Sequence, residues 1–532
     1  MSLTFKFFLF VSLSLSIVAC GSDESAERST TLSDTGTDTG TDAGTDTGTD
    51  TGTDTGADTG TDTGTDTGTD TGTDTGTDTG TDTGTDTGLD TGSDTGSDGG
   101  LDDNEDTDGT SDITNPDASV GTFEYLSLGI DVAGPAFVGE ADINDDGLID
   151  LFVSGFGGMG FSVPNGTLTV LYNTGDLQNW EAEVVIAESD GIPFPNGVTA
   201  EDLDGDGDLD LLVPSGFLVC EAIPIVGGPC GGIAWYENQQ GAWQQHVIVE
   251  NTQTLFYHHG ELVDLDQDGI RDMIIVGEKR VTGFFGGAED AAELQWLKGT
   301  TTGPLFESTP HTLALGGGSF PRLRDLDGDG DIDIASNEFF FEAGSFAWFE
   351  QVEAPTAENP TGEFVRHVIA NDVGPSIMFQ FADDLYGDGV SRAVGANHTN
   401  TQAGDTDESA IYVFEVPENP FDTWTRQKVS EGIVSEPGSQ FAPQAAPGIF
   451  GLGDVDDDGD TDIVVSGDGD PRIFWLEQQA PGVFATRIAG SGRGQAGGMI
   501  VGDYDQDGTH EWLVTSYDNN TLEFFKWVAS SP

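Results

Sequence analysis

Short apolar runs set the rhythm of the chain from residue 119 onward. LDLLVP at 209–214, DMIIV at 272–276, DIDIAS at 331–336 and TDIVVS at 461–466 are continuous and brief, and they read as buried strands. A second run follows each, built around an aromatic residue: IAWYEN around Trp235, LQWLKG around Trp296, FAWFEQ around Trp348 and RIFWLEQ around Trp475. One more aromatic then opens a last strand in every unit, namely Phe123, Trp180, Trp243, Phe306, Phe364, Trp424 and Phe484. Phe123 precedes the first unit and nothing equivalent follows the last, so the strand GTFEYLSLGI at 121–130 is expected to complete the final unit. Aromatics that recur at one position of a repeat pack between repeats. The Trp residues are therefore read as core, and His246, His311 and His367, recurring shortly after the last aromatic, as framework.

Each first run is preceded by an acidic nonapeptide. The seven copies are DINDDGLID from Asp142, DLDGDGDLD from Asp202, DLDQDGIRD from Asp264, DLDGDGDID from Asp325, DLYGDGVSR from Asp384, DVDDDGDTD from Asp454 and DYDQDGTHE from Asp503. Oxygen side chains at positions 1, 3, 5 and 9 around a Gly at position 6 suit Ca²⁺, which takes about six to eight oxygens in flexible geometry. The expected ligands are Asp142, Asn144, Asp146 and Asp150; Asp202, Asp204, Asp206 and Asp210; Asp264, Asp266, Asp268 and Asp272. They continue with Asp325, Asp327, Asp329 and Asp333; Asp454, Asp456, Asp458 and Asp462; Asp503, Asp505, Asp507 and Glu511. About six calcium ions result. An EF-hand would need a Glu at loop position 12 and flanking helices, whereas strands flank these loops. The fifth copy has Tyr386 at position 3 and Arg392 at position 9, so it is expected to bind no metal, with Arg392 pairing with Asp384 and Asp388.

Repeat starts are 60, 62, 61, 59, 70 and 49 residues apart, and a long fixed period of short strands points to a radial or solenoid array. The one-strand offset at the amino end selects the radial form, an all-β propeller of seven four-stranded blades. The loops and the IAWYEN-type strands resemble the FG-GAP/VCBS repeats of integrin α-chain propellers and many bacterial surface proteins. That resemblance covers residues 119–532. It implies a seven-bladed propeller with calcium in the hairpin between the first two strands of each blade, on the lower face.

Residues 1–20 read as a lipoprotein signal peptide. The run FFLFVSLSLSIVA is too short to span a membrane, and Ile17 to Cys20 resembles a bacterial lipobox, with Cys20 as the lipidated residue. Gly at position 21 favours export to the outer membrane and the cell surface. Residues 21–118 are nearly pure Thr-Asp-Thr-Gly repetition, the composition of a disordered acidic tether, with a reach of at least ~50–60 Å. Cys220 and Cys230, the remaining cysteines, are expected to form a disulfide in an oxidising compartment. A net charge of −80 excludes nucleic acid as a partner, which needs a basic face. A monomer is expected.

Counting back from each loop to the inner strand places His258, His259, Glu261, Phe320, Arg322, Phe379 and Arg324 on one arc of the upper entrance. They form either a ligand pocket with aromatic faces or a set of side chains satisfying one another in a wet channel. No nucleophile, phosphate loop or cofactor fingerprint accompanies them. Two functions stay open: a calcium-stabilised surface binding or adhesion module for a glycan or protein ligand, and an extracellular carbohydrate-active enzyme of lyase or dehydratase type.

Overall fold

The computed structural model describes residues 121–157, 165–217, 230–282, 288–341, 344–397, 410–433 and 447–530, with two-residue strands between 37 and 94. Residues 11–110 form a unit of their own. There, pairs such as Thr37–Asp38 lie parallel to the copy sixteen residues on, Thr53–Asp54, and four such ladders occur. Leu89 is their one large apolar residue.

Residues 121–530 fold as seven four-stranded antiparallel sheets. The inner strands are Pro135–Ala141, Thr199–Glu201, Phe256–Val263, Arg322–Arg324, Ser376–Asp383, Phe450–Gly453 and Ala496–Gly502. Blade 1 shows the plan, running through Pro135–Ala141, Asp150–Gly155, Thr167–Tyr172 and Glu181–Ile186 in sequence order. Second strands such as Asp150–Gly155 and Asp210–Ser215 are buried along their whole length. This is why they appear as unbroken apolar runs: both faces meet a neighbouring blade.

Blade 7 closes the ring. Its strands Ala496–Gly502, Glu511–Ser516 and Thr521–Ala529 are completed by Gly121–Ser127 from the amino end, paired from Gly121↔Ala529 to Ser127↔Glu523. Blade 7 then meets blade 1 through the Tyr504 hydroxyl, which donates to Glu140 at 2.6 Å, and through Trp180 stacked on Phe524. The closed ring leaves only short sheet edges.

Trp296, Trp348 and Trp475 are each 1% exposed and Trp235 is 6% exposed, confirming the core role read from the repeats. The histidines lie across the ladder from them. His246 stacks on Trp235 with ring centroids 4.4 Å apart, and His367 on Trp348 at 4.5 Å. Their Nε2 atoms lie 2.7 Å from Glu237 and Glu350.

Candidate metal centres

Each acidic nonapeptide is the turn between the first and second strands of its blade, and position 9 is the first residue of the second strand in all copies but the fifth. Position 6 needs glycine because its φ lies between 75° (Gly389) and 102° (Gly207), in the left-handed region; Gly147 is at 88°. The loop folds on its own amides. In the first copy, Asp142 accepts from the amides of Asp146 and Gly147, Asn144 from Asp146, and Asp146 from Leu148. These bonds turn the side-chain oxygens inward.

Position 9 does a different job. Asp150 takes the amides of Ile143 and Asn173, Asp333 those of Leu326 and Gln351, and Asp462 those of Val455 and Gln478. It therefore pins the turn to the end of the third strand. Burial first, and neighbouring carboxylates among the further causes, push Asp150, Asp210, Asp272 and Asp333 up to about 6 and Asp462 up to about 8.

Three carboxylates have oxygens within 4.8 Å of one another in five loops: Asp202, Asp204 and Asp206; Asp264, Asp266 and Asp272; Asp325, Asp327 and Asp333; Asp454, Asp456 and Asp458; Asp503, Asp505 and Glu511. In the first loop Asn144 takes the middle place. The donor set is hard oxygen throughout, and Asp456 Oδ1 is buried without a hydrogen-bond partner. Both observations fit a hard divalent cation, because clustered buried carboxylates otherwise repel and stay unsatisfied.

In the fifth loop the Arg392 guanidinium lies over the Tyr386 ring at 4.1 Å and grips Asp388 with two bonds of 2.6 and 2.8 Å. That pairing holds the Asp388 carboxyl down to about 2. Asp384, the other expected partner, instead accepts the Gly389 amide. Two intact loops also hold a cation of the protein's own, which the sequence reading missed. Lys298 Nζ bonds to Asp266 and, at 2.7 Å, to Asp268. Lys526 Nζ lies 3.1 Å from Asp505, 2.7 Å from Asp507 and 2.6 Å from Glu511.

The arc of candidate ligand residues divides in two. His259, Glu261 and Arg322 form a partly exposed chain linking blades 3 and 4, with His259 Nε2 at 3.1 Å and Arg322 Nη1 at 2.7 Å from Glu261 Oε1. Burial raises the Glu261 carboxyl, but the bonds and charges of His259 and Arg322 outweigh it and leave the group below its ordinary value. His258, Phe320 and Phe379 are buried. Phe379 packs against Phe346, Phe381 and Phe414 and has no surface to offer a ligand. The reason is the pleat: side chains along a strand alternate between its two faces, and Phe379 falls on the face that packs into the core between blades 4 and 5.

His258 faces Glu278 at 3.3 Å, and Glu278 is fully enclosed. Burial pushes Glu278 up to about 8 and His258 down to about 4, each toward its uncharged form. Phe137 of blade 1 reaches across to Phe320 of blade 4 at 6.3 Å and to His258 at 6.2 Å. It also packs with the cluster that includes Ile377 and Ile449 of blades 5 and 6. Side chains of blades 1, 3 and 4 thus meet here. Arg324 is a clamp between blades 4 and 5, bidentate on Asp383 and 3.9 Å over the Phe381 ring. Cys230 is disulfide-bonded and buried beside Phe194; Cys220 and Cys20 lie outside the described residues.

Residues 142–213 and 454–514 match the family described as FG-GAP-like repeat. These segments are the first loop through the second strand of blade 2, and the loops and strands joining blades 6 and 7. No curated protein matches the chain.

Proposed function

We propose that this chain, whose FG-GAP-like repeats are built into a seven-bladed β-propeller, is a calcium-stabilised binding module for a glycan or protein ligand. In this reading it is displayed at a bacterial surface on an acidic tether anchored through a lipid on Cys20. The carrying observation is the contrast between packed rings and connections. Phe137, His258 and Phe320 of blades 1, 3 and 4 pack against one another, which favours recognition by connections on the face opposite the acidic loops. The longest of these run from Ser215 to Gly231, from Asn397 to Ile411 and from Lys428 to Phe450. Loops on a rigid scaffold are where recognition is most often placed. Enclosure of the acid–base pair His258 and Glu278 also favours binding over catalysis, since a general acid or base must reach its substrate.

The acidic loops support the scaffold in this account. A site held at 100 times its Kd stabilises the folded state by about 2.7 kcal/mol. The test is a glycan and polysaccharide array probed with the full chain in millimolar calcium, each hit assayed for cleavage products by mass spectrometry. A calcium-dependent hit without products is the expected result. Products at any hit would replace the binding reading with the enzyme reading.

A further inference from the structure

We propose that the loops opening at Asp264 and Asp503 are closed by the protein's own ammonium groups, Lys298 and Lys526, and take no calcium, leaving divalent sites only at Asp142, Asp202, Asp325 and Asp454. The proposal deepens the calcium reading above and rests on it.

The argument turns on one ladder position. In every blade one residue of the third strand lies directly across from position 9 of the loop. The pairing Glu511↔Lys526 shows it in blade 7 and Arg392↔Glu415 in blade 5. One step beyond the pairs Leu151↔Leu171, Leu211↔Tyr236, Met273↔Leu297, Ile334↔Phe349 and Ile463↔Leu476, the same place holds Tyr172, Glu237, Lys298, Glu350 and Glu477. A side chain there stands beside the loop's carboxylates.

In blades 2, 4 and 6 the residue is Glu, and its carboxylate is turned to a partner on the outer strand: His246 at 2.7 Å, His367 at 2.7 Å and Arg487 at 2.9 Å. It brings no positive charge to the loop. Among the described residues, no lysine or arginine ion-pairs with a loop carboxylate of the copies at Asp142, Asp202, Asp325 or Asp454. In blades 3 and 7 the residue is Lys, and it reaches into the loop. Lys526 Nζ has three carboxylates within 3.1 Å, so the ammonium stands among the oxygens a metal would gather. Lys298 holds Asp266 and Asp268 in the same way, although Asp266 keeps its second oxygen unpaired. A calcium ion entering either loop would have to displace the ammonium or bear its repulsion at contact distance. With Arg392 in blade 5, blades 3, 5 and 7 each carry a built-in cation.

The test counts bound calcium on the full chain by native mass spectrometry, with calorimetric titration in physiological salt to set aside the loose ion atmosphere of the tether. The wild-type chain is expected to bind four ions, Lys298→Met five, and the double variant Lys298→Met, Lys526→Met six. Glu350→Lys, which puts an ammonium beside the loop at Asp325, is expected to bind three. Five or six ions on the wild-type chain would overturn the proposal while leaving the calcium reading intact. An unchanged count in a folded Lys→Met variant would do the same. No bound calcium at all would overturn the calcium reading itself, and with it this one. The wild-type and Glu350→Lys counts decide the matter even if the methionine variants fail to fold.

Discussion

Removing residues 121–127 is expected to leave a protein that no longer melts as one cooperative unit. The strand pairs along its whole length with Thr521–Ala529, and Phe123 sits with ring centroids 5.4 Å from Trp475, 5.3 Å from Trp512, 6.3 Å from Phe525 and 5.0 Å from Trp527. Trp475 belongs to blade 6, so one phenylalanine ties the closing strand to two blades. Truncating it alone, Phe123→Ala, should cost about 3–5 kcal/mol, the range for a buried Phe→Ala cavity. Deleting the whole strand also bares the edge of Thr521–Ala529 and the four aromatic rings around Phe123, a template for pairing with a second chain. Calorimetry should then show a broad, weakened transition, and size-exclusion chromatography should show oligomers. A deletion variant that stayed monomeric and melted like the intact chain would mean that the ring is not closed by this strand.

The second large effect is expected at position 9 of a loop. Asp462 is 1% exposed and accepts three bonds, from the Val455 amide at 3.2 Å, the Trp475 indole at 3.0 Å and the Gln478 amide at 2.7 Å. Asp462→Ala strands all three donors where little water can reach them, and a buried unsatisfied donor costs about 1–3 kcal/mol. With partial relief by water entering the space, a loss of about 3–5 kcal/mol is expected. Chemical denaturation measured in chelator checks this, since any metal contribution is then removed. Asp457→Asn, at an exposed position of the same loop where Asn tolerates the left-handed backbone, should change stability by less than about 0.5 kcal/mol. Equal effects of the two substitutions would refute the role of position 9 as the pin between turn and third strand.

The architecture was legible because it is written seven times. The acidic turn, the buried run and the third-strand aromatic each recur at one place per unit, and the displaced Phe123 announces the closing strand. What remained illegible depends on contacts the period does not encode. Lys298 lies well downstream of its loop and acquires meaning only through the register that sets it across from Asp272. Five of its six counterparts are Glu or Tyr and only Lys526 matches it, so it looks like ordinary variation in a strand. The contact of Phe137 with Phe320 is hidden for a similar reason: they come from blades 1 and 4 and meet only once the ring is closed. Phe379 was assigned to the channel arc by counting residues, but the side-chain alternation of its strand sends it to the interblade core.

The calcium account is tested most directly by melting the full chain in calcium and in chelator, at pH 5 and at pH 8. Burial raises the Asp150, Asp210, Asp333 and Asp456 carboxyls to about 6 and Asp462 to about 8, above the ordinary 3.8. Without a cation, the folded state therefore holds protons that the unfolded chain gives up between those values. Unfolding then releases protons, and stability falls as the pH rises through that window. In chelator the melting temperature should be lower at pH 8 than at pH 5. Calcium at pH 8 should restore it, each occupied site adding about 2.7 kcal/mol at 100 times its Kd, because the ion replaces the protons between the carboxylates. Identical melts at pH 8 with and without calcium would contradict the account.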